Sequence, residues 1–246
     1  MYVQLNGLVV NEVSIGEGNK VVDLLTDQRG IIKAFVKGAK YSKGKNSCAS
    51  QLFSYSELLL YVGKNGYTIN ESETKEQFLN LRKDIYKLAL AQYFCEIALC
   101  MSPKEEKAVD YLRLILNSLA YLEKDKIKKE IIKSVFEMRI CVMSGYMPDI
   151  IGCRNCGIYK PGEMYFSLNN SFFMCKDCLN GKYRGYNYLK SGTSEALRHI
   201  VYSPLNKLFL FTISDESLLD LSIITEKYLR LNSYTEFKAL NFYKML

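Results

Sequence analysis

The 246-residue sequence predicts an α+β chain of several domains: an N-terminal β-barrel, then an α-helical body with an inserted four-cysteine hairpin. Three observations predict it. The first seventy or so residues break into five short apolar runs separated by turn formers. From about Lys75 the apolar period lengthens to three or four residues. Two Cys-x-x-Cys pairs then stand eighteen residues apart within the helical part.

The strand candidates are Val3 to Val10, Lys20 to Thr26, Ile31 to Lys37, Leu52 to Val62 and Gly66 to Asn70. Between them lie Gly16-Glu17-Gly18-Asn19, Asp27-Gln28-Arg29-Gly30, a Gly/Ser/Lys loop from Gly38 to Ser50, and Gly63-Lys64-Asn65-Gly66. Five short strands at this spacing suit a small closed barrel, for which the OB-fold is the common five-stranded solution.

Helical period follows in Phe78, Leu81, Ile85, Leu88, Gln92 and Cys95, then in Val109, Leu112, Ile115, Leu116 and Leu119. Ile127, Ile131, Val135, Met138 and Val142 repeat it, with Gly145 placed to end that helix. Ser194 to Tyr202, Glu216 to Leu231 and Thr235 to Leu246 are helical by the same criterion. The expected division is therefore 1–74 for the barrel, 75–147 and 187–246 for the two parts of the helical domain, and 148–186 for the cysteine insertion.

Cys153-Arg154-Asn155-Cys156 and Cys175-Lys176-Asp177-Cys178 form the strongest local signal. Two such knuckles on a hairpin set four thiolates around one Zn²⁺, and the gap between them falls in the zinc-ribbon range. Met164-Tyr165-Phe166 and Phe172-Phe173 supply the strands of that hairpin. A four-thiolate site leaves no open coordination position, so one structural zinc per chain is expected. Cys48, Cys95, Cys100 and Cys141 lack ligand spacing and read as core or incidental residues.

A formal charge of +7 permits an anionic partner. Its placement says more than its size. No Asp or Glu occurs from Gln28 through Ser56, a stretch that holds Arg29, Lys33, Lys37, Lys40, Lys43 and Lys45. Strand alternation puts Ile32, Ala34 and Val36 on one face and Lys33, Phe35 and Lys37 on the other. Cations interleaved with an aromatic ring suit a groove that tracks phosphates and stacks bases. A solvated lysine-rich hairpin is the alternative.

His199 is the sole histidine, which argues against Ser-His-Asp, Cys-His and multi-histidine metal catalysis. Gly38 and Gly44-Lys45-Asn46 miss the Walker spacing by one residue and lack its hydroxyl. The chain opens Met1-Tyr2-Val3-Gln4 without a secretory pattern, and its longest apolar stretch, Leu88 to Met101, is broken by Gln92 and Glu96. A cytoplasmic chain with no membrane partner is expected.

Taken in order, these residues resemble the RecO family of bacterial recombination mediators along nearly the whole chain. The opening carries Gly7-Leu8-Val9-Val10, Gly16-Glu17-Gly18-Asn19-Lys20-Val21-Val22-Asp23-Leu24-Leu25-Thr26, Gly30 and Val36-Lys37-Gly38-Ala39-Lys40. The middle carries Phe136-Glu137-Met138-Arg139, Gly145-Tyr146-Met147-Pro148, the first knuckle, Tyr165-Phe166-Ser167 and the second knuckle. Tyr228-Leu229-Arg230 and Phe237-Lys238-Ala239-Leu240 resemble the family's last helices. Leu52 stands where the family usually has Pro, Ala239 replaces a common Ser, and Asn232 lies near a frequent His.

The resemblance implies an OB-fold, a helical body and a zinc insertion. It also implies binding of single- and double-stranded DNA, annealing of complementary strands, and no enzymatic activity. The implied partners are RecR and the C-terminal tail of the single-stranded-DNA-binding protein, whose joint outcome is RecA loading. An OB-fold/zinc-ribbon nucleic-acid enzyme, with Asp23, Asp27 and Glu57 as carboxylates, and an RNA-binding protein are the rival readings.

Overall fold

The computed structural model describes residues 1–39, 45–64, 66–159 and 164–246. They form two compact units: Met1–Lys124 with Phe237–Leu246, and Asp125–Glu236.

The first unit begins with five strands, β1 (Tyr2–Ile15), β2 (Asn19–Thr26), β3 (Gly30–Val36), β4 (Tyr55–Gly63) and β5 (Gly66–Glu76). They close into a barrel in the order β1-β2-β3-β5-β4, with β1 completing the circle against β4. The β3–β5 pair is parallel, with Ala34 opposite Tyr67 and Phe35 opposite Thr68. Closure removes the sheet edges that would otherwise present unpaired N–H and C=O groups. This is an OB-type barrel. Leu5, Val9, Val22, Leu24, Ile32, Ala34, Val36, Leu58, Leu60 and Ile69 fill its interior. An irregularity at Val9/Asn11 in β1, and one in β5 where Asn70 is left over between the Leu59–Glu71 and Leu60–Ile69 pairs, give the local bend that a small barrel needs.

β2 and β3 differ from the periodicity by no more than one residue at either end, and the larger differences lie in β1, β4 and β5. β1 continues past Val10 because its polar end pairs with β2, Glu12 opposite Val22 and Ser14 opposite Lys20. β5 continues through Thr74, paired with Ser56, to Glu76, paired with Tyr55, so helix does not begin at Lys75. A short helix α1 (Lys45–Ala49) lies within the segment read as a loop, and β4 starts at Tyr55 rather than Leu52.

The β2–β3 turn is held in place from outside the barrel. The Ile31 N–H donates to the Pro103 carbonyl at 2.9 Å, and the Ala108 N–H donates to the Asp27 carbonyl at 2.9 Å. Gly30 has φ +54°, and a Cβ there would stand 2.1 Å from the Pro103 oxygen. Only glycine fits.

Helices α2 (Ile85–Met101) and α3 (Val109–Lys124) complete most of this unit. Asp84 caps α2 by accepting from the N–H groups of Tyr86 and Lys87. A broad face of α2 is buried, with Leu90, Tyr93, Phe94 and Ile97 at its centre, while Ile85, Tyr86 and Gln92 on the other side stay exposed. The last helix, α8 (Lys238–Tyr243), returns to pack against α2, with the Tyr93 and Phe237 rings 5.4 Å apart.

The second unit holds α4 (Lys129–Met143), α6 (Ser191–Tyr202) and α7 (Asp215–Ser233), with a four-stranded sheet and the one-turn helix α5 (Lys176–Leu179) between α4 and α6. The sheet runs β6 (Asp149–Cys153), β8 (Phe172–Cys175), β7 (Met164–Ser167), β9 (Asn187–Leu189). Gly145, φ +93°, lies just past α4 and ends it, as its position in the sequence suggests. Buried Lys133 on α4 sits 2.8 Å from Glu137 and 3.2 Å from Glu226 of α7, and the Thr225 hydroxyl donates to Glu137. Charges this far from water persist because each has a partner. Arg198 of α6 ties the helices to the sheet. Its guanidinium donates to the carbonyls of Ile150 and Tyr159 and lies over the Phe173 ring.

Candidate nucleic-acid interface and cysteine cluster

Alternation along β3 buries Ile32, Ala34 and Val36 and leaves Lys33 and Lys37 exposed, with Phe35 half-buried between them. The two lysines share a face because residues two apart in a strand point the same way. Lys33 lies 3.8 Å from Asp23 but keeps 72% of its side chain exposed, so that pair is loose. Arg29, at the β2–β3 turn, is more firmly engaged. It donates to the Tyr67 hydroxyl at 3.2 Å and lies 3.8 Å from Glu105, and the Tyr67 hydroxyl donates to Glu105 at 2.7 Å. Lys40 and Lys43 lie outside the described residues, as does the side chain of Lys45.

The carboxylates of the barrel are distributed unevenly. Glu57, Glu71 and Glu73 border one cleft over β4 and β5, which Lys37 and Asn46 also line. Glu57 is bound to Lys75 at 2.7 Å and to Gln4. Asp23 accepts from Asn11, and Asp27 accepts from Asn6. The three carboxylates of the nuclease reading are thus each held in a different contact.

The second unit brings the four cysteines together. The sulfurs of Cys153, Cys156, Cys175 and Cys178 all lie within 4.8 Å of one another, and those of Cys156 and Cys175 are 3.7 Å apart. A tetrahedron with metal–sulfur bonds of about 2.3 Å has sulfur–sulfur edges of about 3.8 Å. The quartet fits a tetrahedral ion. Cys153 ends β6, Cys175 ends β8, and α5 turns Cys178 back towards them. The first knuckle is closed by the Gly157 N–H donating to the Cys153 carbonyl and the Cys153 N–H donating to the Ile158 carbonyl. At Gly152 a Cβ would stand 2.8 Å from the Gly157 oxygen, so the knuckle needs glycine there for space.

Over the length of the chain, two family models match. The recombination protein O N-terminal model covers residues 1–78, and the recombination protein O C-terminal model covers residues 82–241. The chain belongs to the RecO family. Curated relatives named DNA repair protein RecO include one from Acetivibrio thermocellus, 32% identical over 246 residues, covering all of this chain and 97% of the relative. Another, from Dehalococcoides mccartyi, is 31% identical over 95% of this chain and 91% of its own. The protein from Caldicellulosiruptor saccharolyticus is 25% identical over 100% and 99%.

The thiols of the quartet are not equivalent. Burial pushes Cys153 up, but the backbone N–H groups of Cys156, Cys175 and Asn155 together bring it down to about 6. Burial pushes Cys175 up to about 12. Four neighbouring thiols ionise together only when a cation offsets their charge. Asn155 donates to the Cys178 sulfur at 3.3 Å and the Cys178 N–H donates to the Cys175 sulfur at 3.4 Å, contacts that steady ligating thiolates. Asn155, Gly152 and Arg198 escaped the sequence reading. Asn155 was legible as the polar residue inside the first knuckle, whereas Arg198 carries no local signal. The other cysteines separate into buried Cys95 and Cys141 and exposed Cys48 and Cys100. Among the described residues, no helix is long and apolar enough to cross a membrane.

Proposed function

We propose that the chain is a non-catalytic DNA repair and recombination mediator. It binds single- and double-stranded DNA, anneals complementary strands and, with RecR, helps load RecA onto DNA coated by the single-stranded-DNA-binding protein. The observation that carries this reading is the β3 face, where exposed Lys33 and Lys37 flank Phe35 in a stretch free of carboxylates. Lys33, Lys37, Arg29 and the neighbouring Lys40, Lys43 and Lys45 neutralise phosphates, and counterion release makes affinity fall with salt. Phe35, half-buried between the two lysines, offers its ring to unstacked bases. Bases held extended on this face meet a complementary strand, a step that needs positioning and no covalent chemistry.

Cys153, Cys156, Cys175 and Cys178 hold one Zn²⁺, which crosslinks β6, β8 and α5. With four thiolates in place it has no free position, so it supplies stability and no activated water. In the helical part, cations beside apolar faces dock the acidic tail of the single-stranded-DNA-binding protein, and the protein works in the cytoplasm at the nucleoid.

Annealing of complementary oligonucleotides tests the whole reading, with and without the single-stranded-DNA-binding protein. Acceleration in both conditions is expected. No acceleration in either, or magnesium-dependent cleavage of the strands, would refute it.

A further inference from the structure

The cysteine-bearing sheet has two unlike faces. Met164, Phe166, Phe173 and Leu189 point inward and are buried, with the Phe166 ring 5.6 Å from Tyr228 of α7. Strand alternation turns Tyr165, Met174 and Tyr188 the other way, and the register places them in one row, Tyr165 opposite both Met174 and Tyr188. A sheet with one face on a core normally offers polar side chains to water on the other. Here the outer row is two tyrosines and a methionine. Tyr188 is 51% exposed and Tyr183 41% exposed. The Tyr165 ring lies 5.1 Å from Tyr183 and 5.5 Å from Tyr188, so the three rings form one cluster.

The segment that supplies two of these rings is also cationic. From Cys178 to Ser194 there is no Asp or Glu, while Lys182 and Arg184 flank Tyr183. Both cations are exposed. This repeats the composition of the β3 region: a run without carboxylates in which cations alternate with rings. Exposed apolar clusters of this kind mark interaction sites. The positive charge beside the rings selects a partner that offers both phosphate and unpaired bases.

We propose that the outward face of the cysteine-bearing sheet is a second contact surface for single-stranded DNA, on which Tyr165, Tyr183 and Tyr188 stack bases and Lys182 and Arg184 meet phosphates. It rests on the reading of the chain as a DNA-binding protein and adds a site in the second unit. Rings stack on unpaired bases and find none exposed in a duplex, so the surface discriminates between the two forms of DNA. The site explains why the metal-stabilised hairpin carries tyrosines on a face that its own core does not use.

The test uses the full chain and fluorescein-labelled oligo(dT), with a blunt-ended duplex of two strands as the comparison. In Tyr183→Ala/Tyr188→Ala, oligo(dT) affinity is expected to fall about tenfold while duplex affinity changes little. Tyr183→Phe/Tyr188→Phe keeps the rings and should bind like the parent. Lys182→Glu/Arg184→Glu, both on an exposed turn, should lower the salt slope for oligo(dT) by roughly 1.4, about 0.7 for each lost contact. Unchanged metal content and circular dichroism confirm that the variants fold. Parent-like oligo(dT) binding by both the alanine and the glutamate variants overturns the second surface. If Lys33→Glu/Lys37→Glu still weakens binding in that case, the DNA-binding reading stands without it. A parent protein that binds neither DNA refutes the underlying reading. Equal losses on duplex and single strand, or preference for oligo(rU) at equal salt, also overturn the proposal.

Discussion

Glu96, midway along α2, accepts the backbone N–H of Ala239 at 3.1–3.2 Å through its two carboxylate oxygens, across 143 residues of sequence. It satisfies one of the N–H groups that the first turn of α8 cannot satisfy itself. The Tyr86 hydroxyl, also on α2, donates to the Leu246 carbonyl at 2.7 Å. The chain end is thus anchored to the unit that holds the barrel.

Glu96→Ala is expected to destabilise the first unit by about 1.5 kcal/mol, the contribution typical of a hydrogen bond to a charged group. Urea unfolding followed by circular dichroism measures it. A midpoint equal to that of the parent would show that α8 docks through its apolar contacts alone.

Charge reversal at Lys33 and Lys37 together should weaken binding to every DNA sequence alike. The salt slope should fall by roughly one unit per lost contact on duplex DNA and about 0.7 on single strands. Stability should change by less than about 0.5 kcal/mol, since both side chains are exposed. Fluorescence anisotropy across a salt series, with thermal melts alongside, checks both statements.

The purified protein should contain about one zinc per chain by elemental analysis. Chelation should lower its Tm, because ligand binding is coupled to the folding of the knuckles. Cys175→Ser should destabilise far more than Cys48→Ser, as Cys175 sits in the quartet and Cys48 is exposed. Equal effects of the two substitutions would remove the metal from the account.

Stability should decline at alkaline pH through Cys95 and Cys141. Burial pushes both thiols well above the ordinary cysteine value, and the nearby Glu96 and Glu137 carboxylates push further in the same direction. In the unfolded chain they ionise near pH 8.5, so their contribution is complete below that value and diminishes as pH rises above it. The loss approaches about 1.4 kcal/mol per pH unit for each thiol. Urea unfolding under reducing conditions at neutral and alkaline pH should show this slope, and Cys95→Ala/Cys141→Ala should flatten it.

By itself the sequence determined the features governed by short-range rules. Alternation at Ile32, Ala34 and Val36 set the inner face of β3, and Gly145 marked the end of α4, because both follow from backbone geometry within a few residues. Knuckle spacing identified Cys153, Cys156, Cys175 and Cys178 for the same reason. The tertiary structure alone decided what depends on a distant partner. β5 extends to Glu76 because β4 offers it Tyr55, and Gly30 is required because Pro103 approaches it. Arg198 is a tie between α6 and the sheet, and Lys133 is buried against Glu226, though neither has a local pattern to mark it. The same holds for α8, whose place against α2 rests on Glu96 and Tyr93. Packing and hydrogen bonding act between residues that are near in space, and a linear sequence records that nearness only where it is also nearness along the chain.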